Sequence, residues 1–305
     1  MGNSFFFGFE PKLMEWIQAH LGSAGVSFFA ACSAFGEETI LIGVMCVLYF
    51  IYDKETAKFV ARRFMVAGCA LACIKNVVCR LRPYMVHENV NCLKPVDKNA
   101  DIMDVTAQGY SFPSGHSEGS AAIIGGTAIR LKKRWLSILA TIIVFMVGVS
   151  RVALGNHYPT DVLAGWAIGL GSIFLFSLME KIIKKRWVIY LIWILIFASG
   201  MFYCTTNDYF TNFGMMLGVF AADLFEERFV KFEKPKNILF GLLRMVGALV
   251  LYFGLNTLLK LPFSSEFLHS GTFMAHLVRM VRYAIVLFMA MGVYPMAFKA
   301  FKKKQ

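Results

Sequence analysis

Residues 150–161 read Ser150-Arg151-Val152-Ala153-Leu154-Gly155-Asn156-His157-Tyr158-Pro159-Thr160-Asp161. The stretch joins two apolar runs, about 135–153 and 160–180, where a membrane protein needs only a short turn. It carries an Arg, a His and an Asp instead. Charged groups at the end of a membrane helix require a partner or a function. Pro159 disfavours helix at Tyr158. His157 should therefore precede the second helix, while Asp161 lies in its first turn. Contact between the two requires the turn to fold back onto that helix.

The rest of the chain frames this turn as part of a membrane protein. Of 305 residues, 58% are apolar and 16% charged, with a mean hydropathy of +0.61; a soluble domain is about 25% charged. The expected fold is all-α, a polytopic helical bundle forming a single integral-membrane domain over 1–305. Nine apolar runs are candidate spans: about 24–52, 57–79, 114–131, 135–153, 160–180, 187–204, 208–227, 238–259 and 273–298. Most match the roughly 20 residues that cross a bilayer. Gly36-Glu37-Glu38 interrupts the first run, so 24–34 should form a separate short segment. Before it, Leu13, Ile17 and Leu21, with Trp16 beside them, suit a short amphipathic helix lying in the interface. The N-terminal residues lack the basic region and cleavage site of a signal peptide.

The net charge of +12 does not imply nucleic acid. Lys and Arg occur four at a time in alternate connections: Lys54, Lys58, Arg62, Arg63; Arg130, Lys132, Lys133, Arg134; Lys181, Lys184, Lys185, Arg186; Arg228, Lys231, Lys234, Lys236; Lys299, Lys302, Lys303, Lys304. The other connections are nearly free of them, which places the N-terminus outside and the C-terminus in the cytoplasm. The seven cysteines show no metal-ligand spacing. Cys79, Cys92 and Cys204 fall on one face of this layout, where a disulfide is sterically conceivable.

With that orientation, three polar clusters share the non-cytoplasmic face. They are Lys75-Asn-Val-Val-Cys-Arg-Leu-Arg82-Pro83, Pro113-Ser114-Gly115-His116 and the opening stretch. Taken singly, each has an ordinary structural reading: snorkelling cations, a Ser-capped helix start, a first-turn acid. Together they match the needs of phosphate chemistry. Arg82 and Arg151 offer forked donors and Lys75 a point charge. Ser114 and Gly115 present N–H groups at a helix start, and Gly115 admits close approach of an anion. Two His and an Asp supply covalent catalysis, one imidazole attacking phosphorus and the other protonating the leaving oxygen. Two His and an Asp also suit zinc, but three cations in the same pocket would repel it, so no metal or other cofactor is expected.

The three blocks read K-x6-R-P, P-S-G-H and S-R-x5-H-x3-D. They resemble the signature of the type 2 phosphatidic acid phosphatase superfamily, which includes glucose-6-phosphatase and vanadium haloperoxidases. The blocks cover residues 75–161, and the span pattern resembles the family over about 57–180. The nine-span layout is also loosely similar to sphingosine-1-phosphate phosphatases. The resemblance implies that His157 is the nucleophile and forms a phosphohistidine. It implies that Asp161 holds its other ring nitrogen and that His116 is general acid, then general base. Lys75, Arg82, Ser114, Gly115 and Arg151 would bind the phosphoryl oxygens.

The resulting expectation is a metal-independent membrane phosphatase acting on a lipid phosphate monoester or diphosphate. Its catalytic core would cover about 57–180, with further membrane helices over about 187–300. Its partners would be a phosphorylated lipid and the surrounding membrane lipids. A soluble phosphate ester as substrate, or phosphoryl transfer to a second lipid, would use the same residues. The site would face the outside or periplasm in a cell membrane, or the lumen in an ER membrane. Three further features stood outside the signature. The 84–112 loop is long enough for a lid. Asp223, Glu226 and Glu227 are acids near membrane runs. Arg279 and Arg282 should either pair with acids of neighbouring helices or guide an anionic lipid.

Overall fold

The structure is a computed structural model and describes residues 2–298. The Lys299 and Lys302–Lys304 cluster lies outside the described residues. The helices, in chain order, are α1 (Phe9–His20), α2 (Ser23–Ala34), α3 (Glu38–Val47), α4 (Lys54–Val78), the single turns α5 (Pro83–Val86) and α6 (Val105–Gln108), α7 (Gly115–Ser120) and α8 (Gly126–Leu131). They continue with α9 (Arg134–Ala153), α10 (Pro159–Ile182), α11 (Arg186–Ala198), α12 (Asn207–Phe225), α13 (Ile238–Leu258), α14 (Ser265–His269) and α15 (Phe273–Phe288). A π-helical turn, Ala121–Gly125, joins α7 to α8. Among the described residues there is no strand, only an isolated bridge between Asn3 and Arg80.

Each of the nine apolar runs is helical. Among the described residues, four helical segments are by themselves long and apolar enough to cross a bilayer: α9, α10, α13 and Phe273–Met296. Ser23–Ala34 with Glu38–Tyr52, bent by 44°, makes a fifth. The bend falls at Gly36-Glu37, where the acids interrupt the apolar run. Helix α4 does not qualify because Lys58, Arg62, Arg63 and Lys75 interrupt its apolar sequence. Helix α13 leaves Leu243, Val246, Val250 and Phe253 exposed, an arrangement at home in hydrocarbon rather than water.

The chain forms two compact units. One comprises residues up to Ile42 together with Ile74–Phe174; the other comprises Gly43–Cys73 and the residues from Leu175 onward. In the first unit α2 packs along α9. Helix α10 comes close to the start of α7 because Gly165 has no side chain; a Cβ there would lie 2.5 Å from the Ser114 carbonyl oxygen. Helix α1 departs from a purely interfacial helix. It buries Glu10, Pro11 and Met14 and turns Leu13 and Trp16 outward. Met14 packs with Val90, Val152, Tyr158 and Val162, so α1 is docked on the 150–161 turn. All seven cysteines are free thiols, so the structure contains no link among Cys79, Cys92 and Cys204.

The second unit packs α12 along α15 around Tyr209, Phe210, Phe213, Met216 and Phe220. It also departs from the expectation that Lys54, Lys58, Arg62 and Arg63 belong to a connection between apolar runs. They lie in α4, and Lys58, Arg62 and Arg63 are buried. Lys58 Nζ stands 2.6 Å from Glu226 Oε2 and 3.0 Å from Asp223 Oδ1. Arg62 Nη1 is 3.0 Å from Asp223 Oδ2, and Arg63 Nη2 is 2.5 Å from Glu180 Oε2. The Tyr190 hydroxyl donates to Asp223, and Arg186 pairs with Glu227 at 2.6 Å. Asp223, Glu226 and Glu227 are thus paired with cations, as charges near membrane runs require. Asp223→Ala leaves Lys58 and Arg62 without that partner and should cost roughly 3–5 kcal/mol, read as a lowered melting temperature in detergent micelles.

Candidate active site

The 150–161 stretch folds back as its sequence requires. Ser150 and Arg151 end α9, and Pro159 opens α10 with its φ already suited to a first helical position. The turn between them passes through Gly155 at φ +80°, where a Cβ would also meet the Asn91 carbonyl oxygen at 2.1 Å. Both constraints call for glycine. Asp161 accepts the Tyr158 N–H at 2.8 Å through Oδ2, which closes the turn onto the helix start. His157 Nδ1 faces the same oxygen at 3.5 Å, an ion-pair distance rather than a tight hydrogen bond.

Arg82 defines the other side of the imidazole. Its Nη1 lies 3.3 Å from His157 Nε2 and donates to the Asn156 carbonyl at 3.0 Å. Its Nη2 donates to the Gln108 carbonyl at 2.7 Å. A guanidinium has no acceptor, so Nε2 must be the accepting nitrogen. The ring proton then sits on Nδ1, toward Asp161, and the Nε2 lone pair points among cations. Burial pushes the His157 imidazole well below its usual range, and the charges of Arg82, Arg151 and Lys75 push it further the same way. The ring is therefore neutral at physiological pH.

Arg151, Lys75 and His116 lie within electrostatic reach of this ring. Arg151 is buried and donates from Nη1 to Ser33 Oγ at 2.7 Å. His116 lies within electrostatic reach of Arg151, His157 and Arg82, and Gly36 abuts it closely enough that a Cβ there would stand 2.9 Å from His116 Cβ. Lys75, in the last turn of α4, is close enough for its charge to act on both His157 and the buried Glu118. The space beside Gly115 is open, with nothing within 4 Å of a Cβ placed there. Ser114 differs from its expected role in one respect. Its N–H is committed to the Asp161 carbonyl at 3.0 Å, and its hydroxyl oxygen caps α7 by accepting from Ser117 N. Only its hydroxyl hydrogen and the following N–H groups remain for an anion.

Several partners were not legible as such in the sequence. Arg80 lies between Lys75 and Arg82 and occupies none of the three signature positions of its block. It is fully buried: Nη1 donates to Asp161 Oδ1 at 2.6 Å, Nη2 to Glu10 Oε2 at 3.0 Å, and Nε to the Phe5 carbonyl at 2.9 Å. Its guanidinium lies 3.8 Å over the Tyr158 ring. Glu10 also accepts from Thr160 Oγ1 at 2.7 Å and Thr160 N at 3.0 Å. Ser111 donates to Asp161 Oδ2. A chain of charged hydrogen bonds thus runs from α1 through Arg80 to Asp161, which His157 Nδ1 faces at 3.5 Å. The 84–112 loop forms a wall pinned to the turn. Leu93 N donates to the Leu154 carbonyl at 3.1 Å, Asn156 Nδ2 to the Lys94 carbonyl at 2.8 Å, and Lys94 Nζ to Glu37 Oε1 at 2.6 Å.

The chain matches the family model described as PAP2 superfamily over residues 59–185 and the one described as PAP2 superfamily phosphatase, transmembrane extension, over 210–305. It is similar to the undecaprenyl-diphosphatase of Sulfolobus acidocaldarius, 30% identical over 180 residues, which are 57% of this chain and 80% of that one. It is similar to phosphatidylglycerophosphatase B of Bacillus subtilis, 39% identical over 85 residues, covering 25% of this chain and 42% of that one. It is also similar to lipid A 4'-phosphatase of Bacteroides thetaiotaomicron, 30% identical over 146 residues, covering 45% and 63% respectively.

The electrostatics around His157 give a sign that can be measured. Arg82 lowers its pKa, so Arg82→Gln should move the His157 titration upward, toward the ordinary value of about 6.5. Nitrogen chemical shifts of labelled histidine across the acidic range read this directly.

Proposed function

The chain belongs to the PAP2 superfamily, and on that footing we propose that it is a membrane phosphatase hydrolysing a lipid phosphate monoester or diphosphate through a phosphohistidine. The observation that carries this reading is the His157 ring, with Nδ1 toward Asp161 and the Nε2 lone pair facing Arg82 within the field of Lys75 and Arg151. Nε2 attacks phosphorus from one side. The bond to the leaving oxygen breaks on the other, and that oxygen takes the proton of His116. Lys75, Arg82, Arg151 and the N–H groups after Ser114 hold the phosphoryl oxygens as charge builds on them, a contribution of about 3 kcal/mol per well-placed donor. His116, now neutral, takes a proton from water, whose oxygen attacks the phosphohistidine. The products are inorganic phosphate and free His157. The site's own cations supply the charge that a divalent ion supplies elsewhere.

A lipid is the substrate class that the surroundings favour. The relatives carry the names of phosphatases of undecaprenyl diphosphate, phosphatidylglycerophosphate and lipid A. The apolar α9 and α10, with their exposed Ile138, Ile142, Phe145, Leu163 and Leu170, would keep an acyl or prenyl tail in the bilayer while its phosphate meets His157. The fuller reading is one integral-membrane domain of nine crossings, supported by nine helical stretches. The site would lie on the non-cytoplasmic face, supported by Lys and Arg counts in the connections that remain basic, such as Arg130–Arg134.

Purified protein in excess chelator should release phosphate from long-chain phosphatidic acid or polyprenyl diphosphate faster than from short soluble esters. His116→Gln should lower kcat by about 10²–10⁴-fold, and His157→Ala should abolish release. Release that survives His157→Ala contradicts the nucleophile. A preference for the soluble ester contradicts the lipid substrate, and phosphate appearing on an added lipid acceptor makes the protein a transferase.

A further inference from the structure

Helix α15 carries His276, Arg279 and Arg282. His276 and Arg282 are buried, with 6% and 4% of their surface exposed. Arg282 Nε and His276 Nε2 are buried without a hydrogen-bond partner. The two arginines lie close enough for their charges to act on each other, and Arg279 acts on His276 in the same way. Asp208 is the acid within electrostatic reach of Arg279, and it is exposed. Neither arginine forms an ion pair among the described residues, contrary to the expectation that they would meet acids of neighbouring helices. The buried cations of α4 provide the contrast, since Lys58, Arg62 and Arg63 each meet a carboxylate.

A buried guanidinium with no counter-charge is costly, and that cost falls when an anion completes the site. We propose that Arg279 and Arg282, bordered by His276, form a second anion-binding site that takes the phosphate group of a phospholipid headgroup or of free inorganic phosphate. Two forked donors one helical turn apart suit the several oxygens of one phosphate. The ring beside them is unsuited to attack. His276 stacks on Phe210 at 4.5 Å, and among the described residues no carboxylate comes within ion-pair distance of it as Asp161 does of His157. The site binds and does not turn over its ligand.

The test uses the full chain with His157→Ala as background, in phosphatidylcholine nanodiscs. The probes are phosphatidylglycerol counted by native mass spectrometry and radiolabelled inorganic phosphate measured by equilibrium dialysis. Adding Arg279→Gln and Arg282→Gln should weaken binding at one site at least about tenfold, the effect of losing one charged contact. Loss of phosphatidylglycerol alone assigns a lipid headgroup, and loss of inorganic phosphate assigns the free ion. Arg282→Met guards against misfolding of the double variant. It removes the buried charge and should melt in phosphatidylcholine at or above the parent, without the rise that the bound anion gives the parent. Undiminished binding of both probes in the double variant, no anion-dependent rise in the parent, or a rise retained in Arg282→Met overturns the proposal.

Discussion

Asp161 is fully buried, and a buried carboxylate persists as an anion only when its oxygens are taken by donors. Arg80 takes Oδ1, while Ser111 and the Tyr158 N–H take Oδ2. Each donor comes from a different part of the first unit, so one carboxylate ties together the end of α4, the segment before α7 and the turn between α9 and α10. Glu10 holds the far side of Arg80, which brings α1 into the same assembly. His157 faces the only oxygen that is shared, and its orientation follows from the rest. Breaking such a buried ionic set by removing one partner is strongly destabilising, roughly 3–5 kcal/mol, so the architecture and the reactive geometry depend on the same contacts.

Two clusters of buried cations are built in opposite ways. In the second unit, Lys54, Lys58, Arg62 and Arg63 meet Glu180, Asp223 and Glu226 at ion-pair distance. That arrangement is close to neutral and offers an incoming anion little. Around His157, Arg82 makes its contacts to carbonyl oxygens and the imidazole, and Arg151 to a serine hydroxyl. Lys75 adds its charge to theirs. Burial first, and then the charges of Arg82, Arg151 and Lys75, hold the imidazole pKa down. In the proposed reaction those cations would meet the phosphoryl group. On α15, Arg279 and Arg282 stand without an ion pair among the described residues.

Much of this was readable in advance, for physical reasons that can be named. The helical character of every apolar run follows from composition, and the break in the first run from Gly36-Glu37-Glu38. Pro159 dictated that His157 and Asp161 meet through a turn, and they do. What the sequence concealed was pairing over distance. Glu10 and Arg80 are 70 residues apart, and nothing in either local pattern points to the other. Arg80 sits between two cations that stood out more, and it resembled one more charge at a helix end. The basic residues of α4 were misread for a related reason. A run of Lys and Arg looks the same whether water or buried carboxylates neutralise it, and Asp223 lies 161 residues from Arg62. The pairing of the Ser114 N–H was equally hidden, since the Asp161 carbonyl that takes it lies 47 residues on.

The central claim is that His157 Nε2 is the atom that receives the phosphoryl group. Rapid acid-free quenching of the protein during turnover of a radiolabelled lipid phosphate, followed by alkaline digestion and mass spectrometry, tests it directly. The proposed reaction predicts an alkali-stable, acid-labile phosphate on the peptide containing His157, bonded through Nε2. Turnover that proceeds with no phosphate on His157, or with the label on His116, would contradict it.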